Sequence, residues 1–180
     1  MFWQFCNPIN DNITNWLFVF NYTNIPRNIK NKFSVFNFQC GVKTGLKQSL
    51  DVELIRVGSL SVDLLFGIQG MVTIDNNLQI FDKLGISYES VKLESQHPFF
   101  ANKSAINFIG IEKTPMRVIS NNPLYPTILI PKLQGYIPKS QIFSVEGMQQ
   151  FLVVTDMMKE KLLQAKIIGL TDEFFRIMEE

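Results

Sequence analysis

A single histidine, His97, occurs in the 180 residues of this chain. A histidine-based catalytic triad and a multi-histidine metal site are therefore excluded within it. Cysteine is nearly as scarce, with Cys6 and Cys40 the only two. They form no C-x-x-C pair, and two reduced thiols are the expectation. Charge is sparse and balanced: Asp, Glu, Lys and Arg make up 18% and the net charge is +1. No basic stripe alternates with aromatic residues, so nucleic-acid binding through phosphate contacts is not supported. Apolar runs are short, and none approaches the roughly 18 residues that span a bilayer. No Lys or Arg precedes Arg27, so the opening segment does not read as a secretory signal. The expectation is a cytoplasmic protein with no membrane contact.

Familiar catalytic strings are missing too. There is no G-x-S-x-G elbow, H-E-x-x-H, Gly-rich dinucleotide loop or Walker sequence. The stretch from Gly41 to Lys47 contains Gly and Lys but lacks the phosphate-loop spacing. Carboxylates such as Asp51, Glu53, Asp75, Glu89, Glu94 and Glu112 are spread singly. Acid–base chemistry needs two such groups converging in a pocket. His97 precedes Pro98, which favours an extended backbone and a local packing or capping role. The reading is therefore no enzyme, with no catalytic residue, metal ligand or cofactor site.

What the chain does have is apolar bulk and a repeated pattern. Hydrophobic residues reach 46%, and 16 of the residues are Phe. That is enough for a buried core, with aromatic rings left over for a partner surface. The pattern appears first as Met71-Val72-Thr73-Ile74-Asp75, a helix-length segment, Gly85, Ser87 and a second strand to Leu93. It appears again as Leu152-Val153-Val154-Thr155-Asp156, a helix-length segment, Gly169, Thr171 and a strand to Ile177. Each helix is expected to start at its Asp or the residue before and to stop at its Gly. Leu78, Phe81 and Leu84 make one apolar face; Met158, Leu162 and Ala165 make the other. Strands are expected over 13–22 and 32–39, a loop over 41–49, and a strand or helical start over 50–57. Residues 59–66 read as one short helix capped by Ser59 or Ser61. The fold class that follows is α+β: mixed, mainly antiparallel sheets with packed helices and two related strand–helix–strand units, about 71–93 and 151–178. One domain spans 1–180, or two closely packed halves at about 1–95 and 96–180.

The string Phe151-Leu152-Val153-Val154-Thr155-Asp156, a helix, Gly169-Leu170-Thr171 and Phe174-Phe175 resembles the C-terminus of a bacterial immunity-protein family encoded beside polymorphic toxins. Ile106 to Ile111 and Gln141 to Phe143 sit where that family has its intervening segments, so the resemblance covers roughly residues 60–180. It departs from the family's L-T-G-F ending, since Asp172-Glu173 replaces the Gly. The resemblance implies stoichiometric binding of a cognate toxin, one to one, by a whole surface and without catalysis. The long middle connection is expected to supply the toxin-binding aromatics: Phe99, Phe100, Tyr125 and Tyr136. A structural or adaptor subunit of a secretion system is the alternative, and an enzyme built on His97 a more distant one. Self-association is left open.

Overall fold

Residues 103–108 are buried along their whole length, which is the mark of a strand covered on both faces. In the computed structural model this segment lies at the centre of a sheet. The structure describes residues 1–8, 16–30, 41, 43–58, 62–67, 70–122, 125–146 and 148–178. In chain order the strands are β1 (Phe2–Phe5), β2 (Leu17–Asn21), β3 (Leu50–Arg56), β4 (Leu64–Phe66), β5 (Met71–Ile74), β6 (Tyr88–Glu94), β7 (Lys103–Phe108), β8 (Glu112–Thr114), β9 (Met116–Asn122), β10 (Tyr125–Pro131), β11 (Ile142–Val145), β12 (Met148–Thr155) and β13 (Phe175–Ile177). The helices are the single turn α1 (Arg27–Lys30), then α2 (Leu78–Lys83) and α3 (Asp156–Gln164). A six-stranded sheet runs β2-β3-β6-β7-β5-β4 and a five-stranded sheet runs β13-β1-β12-β11-β8. Strands β9 and β10 form a separate two-stranded ribbon. The pairs β3·β6 and β8·β11 are parallel and the others antiparallel, so the protein is α+β and mostly sheet. Among the described residues no helix is long and apolar enough to cross a membrane.

Both repeat units form, and their geometry matches more closely than their sequences. In the first, β5 leads through a 3-10 turn at Asp75–Asn77 into α2 and then β6. The two strands do not pair with each other, because β7 lies between them, antiparallel to both. In the second, β12 leads into α3, a 3-10 turn at Asp172–Phe174 and β13, and β1 fills the same gap. Each unit is thus a split β-α-β with its middle strand borrowed from elsewhere in the chain. Thr73 pairs with Ser104 and Val154 with Trp3, each two residues before its unit's Asp. Ser104 Oγ donates to Asp75 Oδ1 at 2.6 Å, and Trp3 Nε1 donates to Asp156 Oδ1 at 2.6 Å. The two carboxylates therefore tie their helix starts to the borrowed strand.

These contacts correct two expectations. Asp75 does not cap its helix; its carboxylate is taken by Ser104 and the Lys92 ammonium. Thr155 caps α3, its Oγ accepting from the Met158 N–H at 3.3 Å. Nor does Gly169 stop α3. Gly85 stands ten residues after Asp75 and Lys166 ten after Asp156, and both are left-handed, at φ 68° and 56°. At Gly85 the turn closes with Gly85 N–H to the Asp82 carbonyl at 3.0 Å and Ile86 N–H to Phe81 at 3.1 Å. Lys166 N–H reaches the Leu163 carbonyl at 3.4 Å in the same way. The three extra residues of the second unit lie after the helix. They bring Gly169 so close to β4 that a Cβ there would stand 3.0 Å from Asp63 Cβ.

The core has three layers because successive strand residues face opposite ways. Met71, Ile106 and Phe108 of one sheet, Leu152 and Val154 of the other, Phe81 of α2 and Met158 and Leu162 of α3 share one cluster. Leu65, Val72, Val91 and Ala105 face the other way, against Phe18 and Phe20 of β2 and Phe99 and Phe100. Phe143, Val145, Val153 and Leu133 form a small outer layer on the five-stranded sheet. The expected helix over 59–66 is instead the strand Leu64–Phe66 at its end, where Leu64 and Leu65 bury into opposite clusters. The expected strand over 32–39 lies outside the described residues. At the far edge, Asn7 mimics a strand: its side-chain amide gives to the Phe66 carbonyl at 2.6 Å and accepts the Phe66 N–H at 2.7 Å. That covers part of the exposed edge of β4.

Candidate protein-binding surface

Between β8 and β11 the chain leaves the five-stranded sheet and makes the β9–β10 ribbon. Its register runs Met116↔Pro131, Arg117↔Ile130, Val118↔Leu129, then shifts before Ser120↔Ile128. The ribbon carries one charge, Arg117, in the 16 residues from Met116 to Pro131. A lone two-stranded ribbon is marginal in water, and a third strand or a covering partner normally completes it. No third strand pairs with it among the described residues.

The ribbon runs directly into a pinned loop. Lys132 N–H reaches the Pro115 carbonyl at 2.8 Å, and Leu133 is buried in the outer layer. The Tyr136 ring stands edge-on to Phe143, with centroids 5.5 Å apart. Its hydroxyl donates to Glu112, which also accepts the Lys139 N–H at 2.9 Å. Burial first, and then the Glu112 carboxylate, push the Tyr136 hydroxyl pKa up to about 12. Between these anchors Ile137 is lifted clear, 87% exposed.

The four aromatics expected to bind a toxin fall in different places. Phe99 and Phe100 are 8% and 2% exposed and belong to the core. Phe99 stacks on Trp16 with centroids 3.9 Å apart, and Lys103 Nζ lies 4.1 Å from the Phe99 ring centroid. The Phe99 and Phe100 rings are committed internally, and the Tyr136 ring packs against Phe143. Tyr125 opens β10 opposite Asn122, and Tyr136 is half-buried beside Ile137. Ile137 itself went unread in the sequence. Its signal is a large apolar residue directly before Pro138, in a stretch with no strand or helix period.

Two concavities stand apart from this surface. A cavity of about 300 Å³ lies where α2, the β7–β8 turn and α3 meet, with Lys161 its one ionisable side chain. An open groove of about 940 Å³ is lined by Asp51, Glu53, Glu94 and His97. His97 is the local cap expected from the sequence: its Nδ1 accepts the Phe99 N–H at 3.2 Å. No ion pair joins it to a carboxylate among the described residues, and no three-residue metal cluster occurs among them. Cys6 is a free thiol, and Cys40 lies outside the described residues.

The elements together define an α+β protein of two mixed sheets, duplicated split β-α-β units and a separate two-stranded ribbon. No protein-family model matches the chain, and no curated protein matches it.

Proposed function

We propose that this protein is an immunity protein that acts in the cytoplasm and neutralises one cognate bacterial toxin by binding it one to one. The observation that carries this reading is the β9–β10 ribbon running into the loop that exposes Ile137. A rigid sheet supports that surface, and the sequence resemblance over 60–180 supplies the partner class. Protection demands tight binding, with a Kd near nanomolar, or about −12 kcal/mol. Such affinity concentrates in a few central residues. Ile137, Tyr136 and Tyr125 are the ones assigned here.

The test is co-expression of the tagged protein with the product of the adjacent gene. A stable one-to-one complex, with rescue of growth when that gene alone is toxic, is the expected result. Ile137→Asp is expected to weaken the complex by about tenfold or more, roughly 1.4 kcal/mol, with thermal stability unchanged. No toxicity and no complex would remove the immunity reading. The enzyme alternative draws on His97 and the three carboxylates sharing one groove. A His97→Ala chain that still rescues growth removes that alternative.

A further inference from the structure

We propose that the hollow between the two repeat units binds a small organic carboxylate, its apolar body against Phe108, Ile142 and Met158 and its head against Lys161, Gln141 and Ser140. The hollow measures about 300 Å³ and lies between the end of α2, the turn after β7, the start of β11 and α3. Phe108, Ile142 and Met158 line it as buried members of the central cluster, and Leu84 and Ile86 as partly buried ones. Protein interiors are close-packed and leave few voids larger than a water molecule. The cluster shared by the two units is therefore incomplete at this point. Gly85 and Gly110 border the hollow, each at φ 68°, and a Cβ on either would meet nothing within 4 Å. Both turns leave the space beside them open.

The polar side chains of the hollow are donors without an anion. Lys161 is its one ionisable side chain, and no carboxylate lines it among the described residues. Lys161 Nζ gives a hydrogen bond to Gln141 Oε1 at 3.3 Å and enters no ion pair among the described residues. Lys159 on the same helix is, by contrast, paired with Asp172 at 2.8 Å. The Lys161 ammonium has further hydrogens to give. Gln141 Nε2 gives to the Met157 sulfur at 3.5 Å, and a thioether is a weak acceptor. Ser140 Oγ accepts the Ile142 N–H at 3.3 Å, which leaves its own hydrogen to give. One cation beside neutral donors suits a single carboxylate, which accepts several hydrogen bonds at once. A phosphate carries more charge than one lysine answers. A cavity of about 150 Å³ accepts one benzene, so about twice that volume admits an aromatic ring with a short acid chain. The proposal does not depend on the toxin reading.

The probe is phenylpropionate, titrated into the 180-residue chain and followed by calorimetry and by amide shifts in nuclear magnetic resonance. Saturable binding is expected, with the largest amide shifts at Gly85, Gly110 and Ile142. Phenylpropanol keeps the ring and lacks the charge, and is expected to bind about tenfold or more weakly. Inorganic phosphate is expected not to displace the acid. Lys161 is exposed, so Lys161→Met is expected to leave the circular dichroism spectrum unchanged. It is expected to weaken phenylpropionate about tenfold or more while leaving phenylpropanol as it was. Lys161→Arg is expected to keep most of the affinity. The proposal is overturned if phenylpropionate shows no saturable binding up to about 5 mM, or if its amide shifts fall away from the hollow. It is overturned equally if the alcohol binds as tightly as the acid, if phosphate displaces the acid, or if Lys161→Met keeps full affinity.

Discussion

Glu89 is a buried carboxylate without a cationic partner among the described ion pairs, and it stays charged by grip alone. Its oxygens accept the Thr44 N–H and Oγ1–H, each at 2.8 Å, the Gly45 N–H at 2.7 Å and the Asn107 amide at 3.2 Å. Burial raises the carboxyl pKa, and the bonds from Thr44, Asn107 and Gly45 more than reverse it, so the net shift is downward from 4.5. A depressed folded pKa stabilises the fold fully above the unfolded value, and that contribution is lost as pH falls through the folded one. Glu89→Gln turns one acceptor into a donor facing donors, and is expected to cost about 1–3 kcal/mol at pH 7. In urea melts from pH 7 down to 3, the gap between the parent and the variant is expected to narrow below the ordinary carboxylate pKa. A gap that stays constant with pH would show that the charge contributes nothing. No sequence rule marks Glu89 for this role, because its partners lie 44 and 45 residues away.

At the scale of elements, the two helix ends offer a matched pair of changes. Gly85 occupies its left-handed position freely, while Lys166 holds the equivalent one with a side chain. That conformation costs a non-glycine residue roughly 1–2 kcal/mol. Glycine gives part of this back through its freer unfolded state, so Lys166→Gly is expected to gain about 0.5–1 kcal/mol. Gly85→Ala is expected to lose about 1 kcal/mol. Calorimetry should show the two melting temperatures moving in opposite directions, each by roughly 2–4 °C. The units themselves were legible in the sequence, because strand run, helix face and turn follow one another locally. Their registration was not. Aligning Gly85 with Gly169 places the extra turn inside the helix, whereas dihedral angles place it in the loop that follows. The borrowed strands were hidden as well, since β1 meets β12 through pairs such as Trp3↔Val154, far apart in sequence. The same limit explains the surfaces. Asp51 and Glu94 look like single scattered acids until a parallel ladder sets them side by side. Phe99 and Phe100 look like contact residues because a Phe carries no sign of which way it will face.

For the molecule as a whole, the shared cluster predicts one cooperative unit. Phe81 of the first repeat and Leu162 of the second sit in the same core, at 0% and 1% exposure. Phe81→Ala is expected to cost about 3–5 kcal/mol and Leu162→Ala about 2–5 kcal/mol. Each should shift a single unfolding transition seen identically by far-ultraviolet circular dichroism and by tryptophan fluorescence. Separate transitions for the two probes would mean that the sheets unfold independently. The antiparallel pairing of β1 with β13 has a mechanical consequence. Trp3 pairs with Ile177 and Phe5 with Phe175, so the N-terminal end of one strand lies beside the C-terminal end of the other. Tension applied at residues 2 and 178 loads that ladder one rung at a time, as a zipper is opened, instead of shearing all its hydrogen bonds together. Pulled from those two points, the protein is expected to begin to come apart at this ladder under a small force.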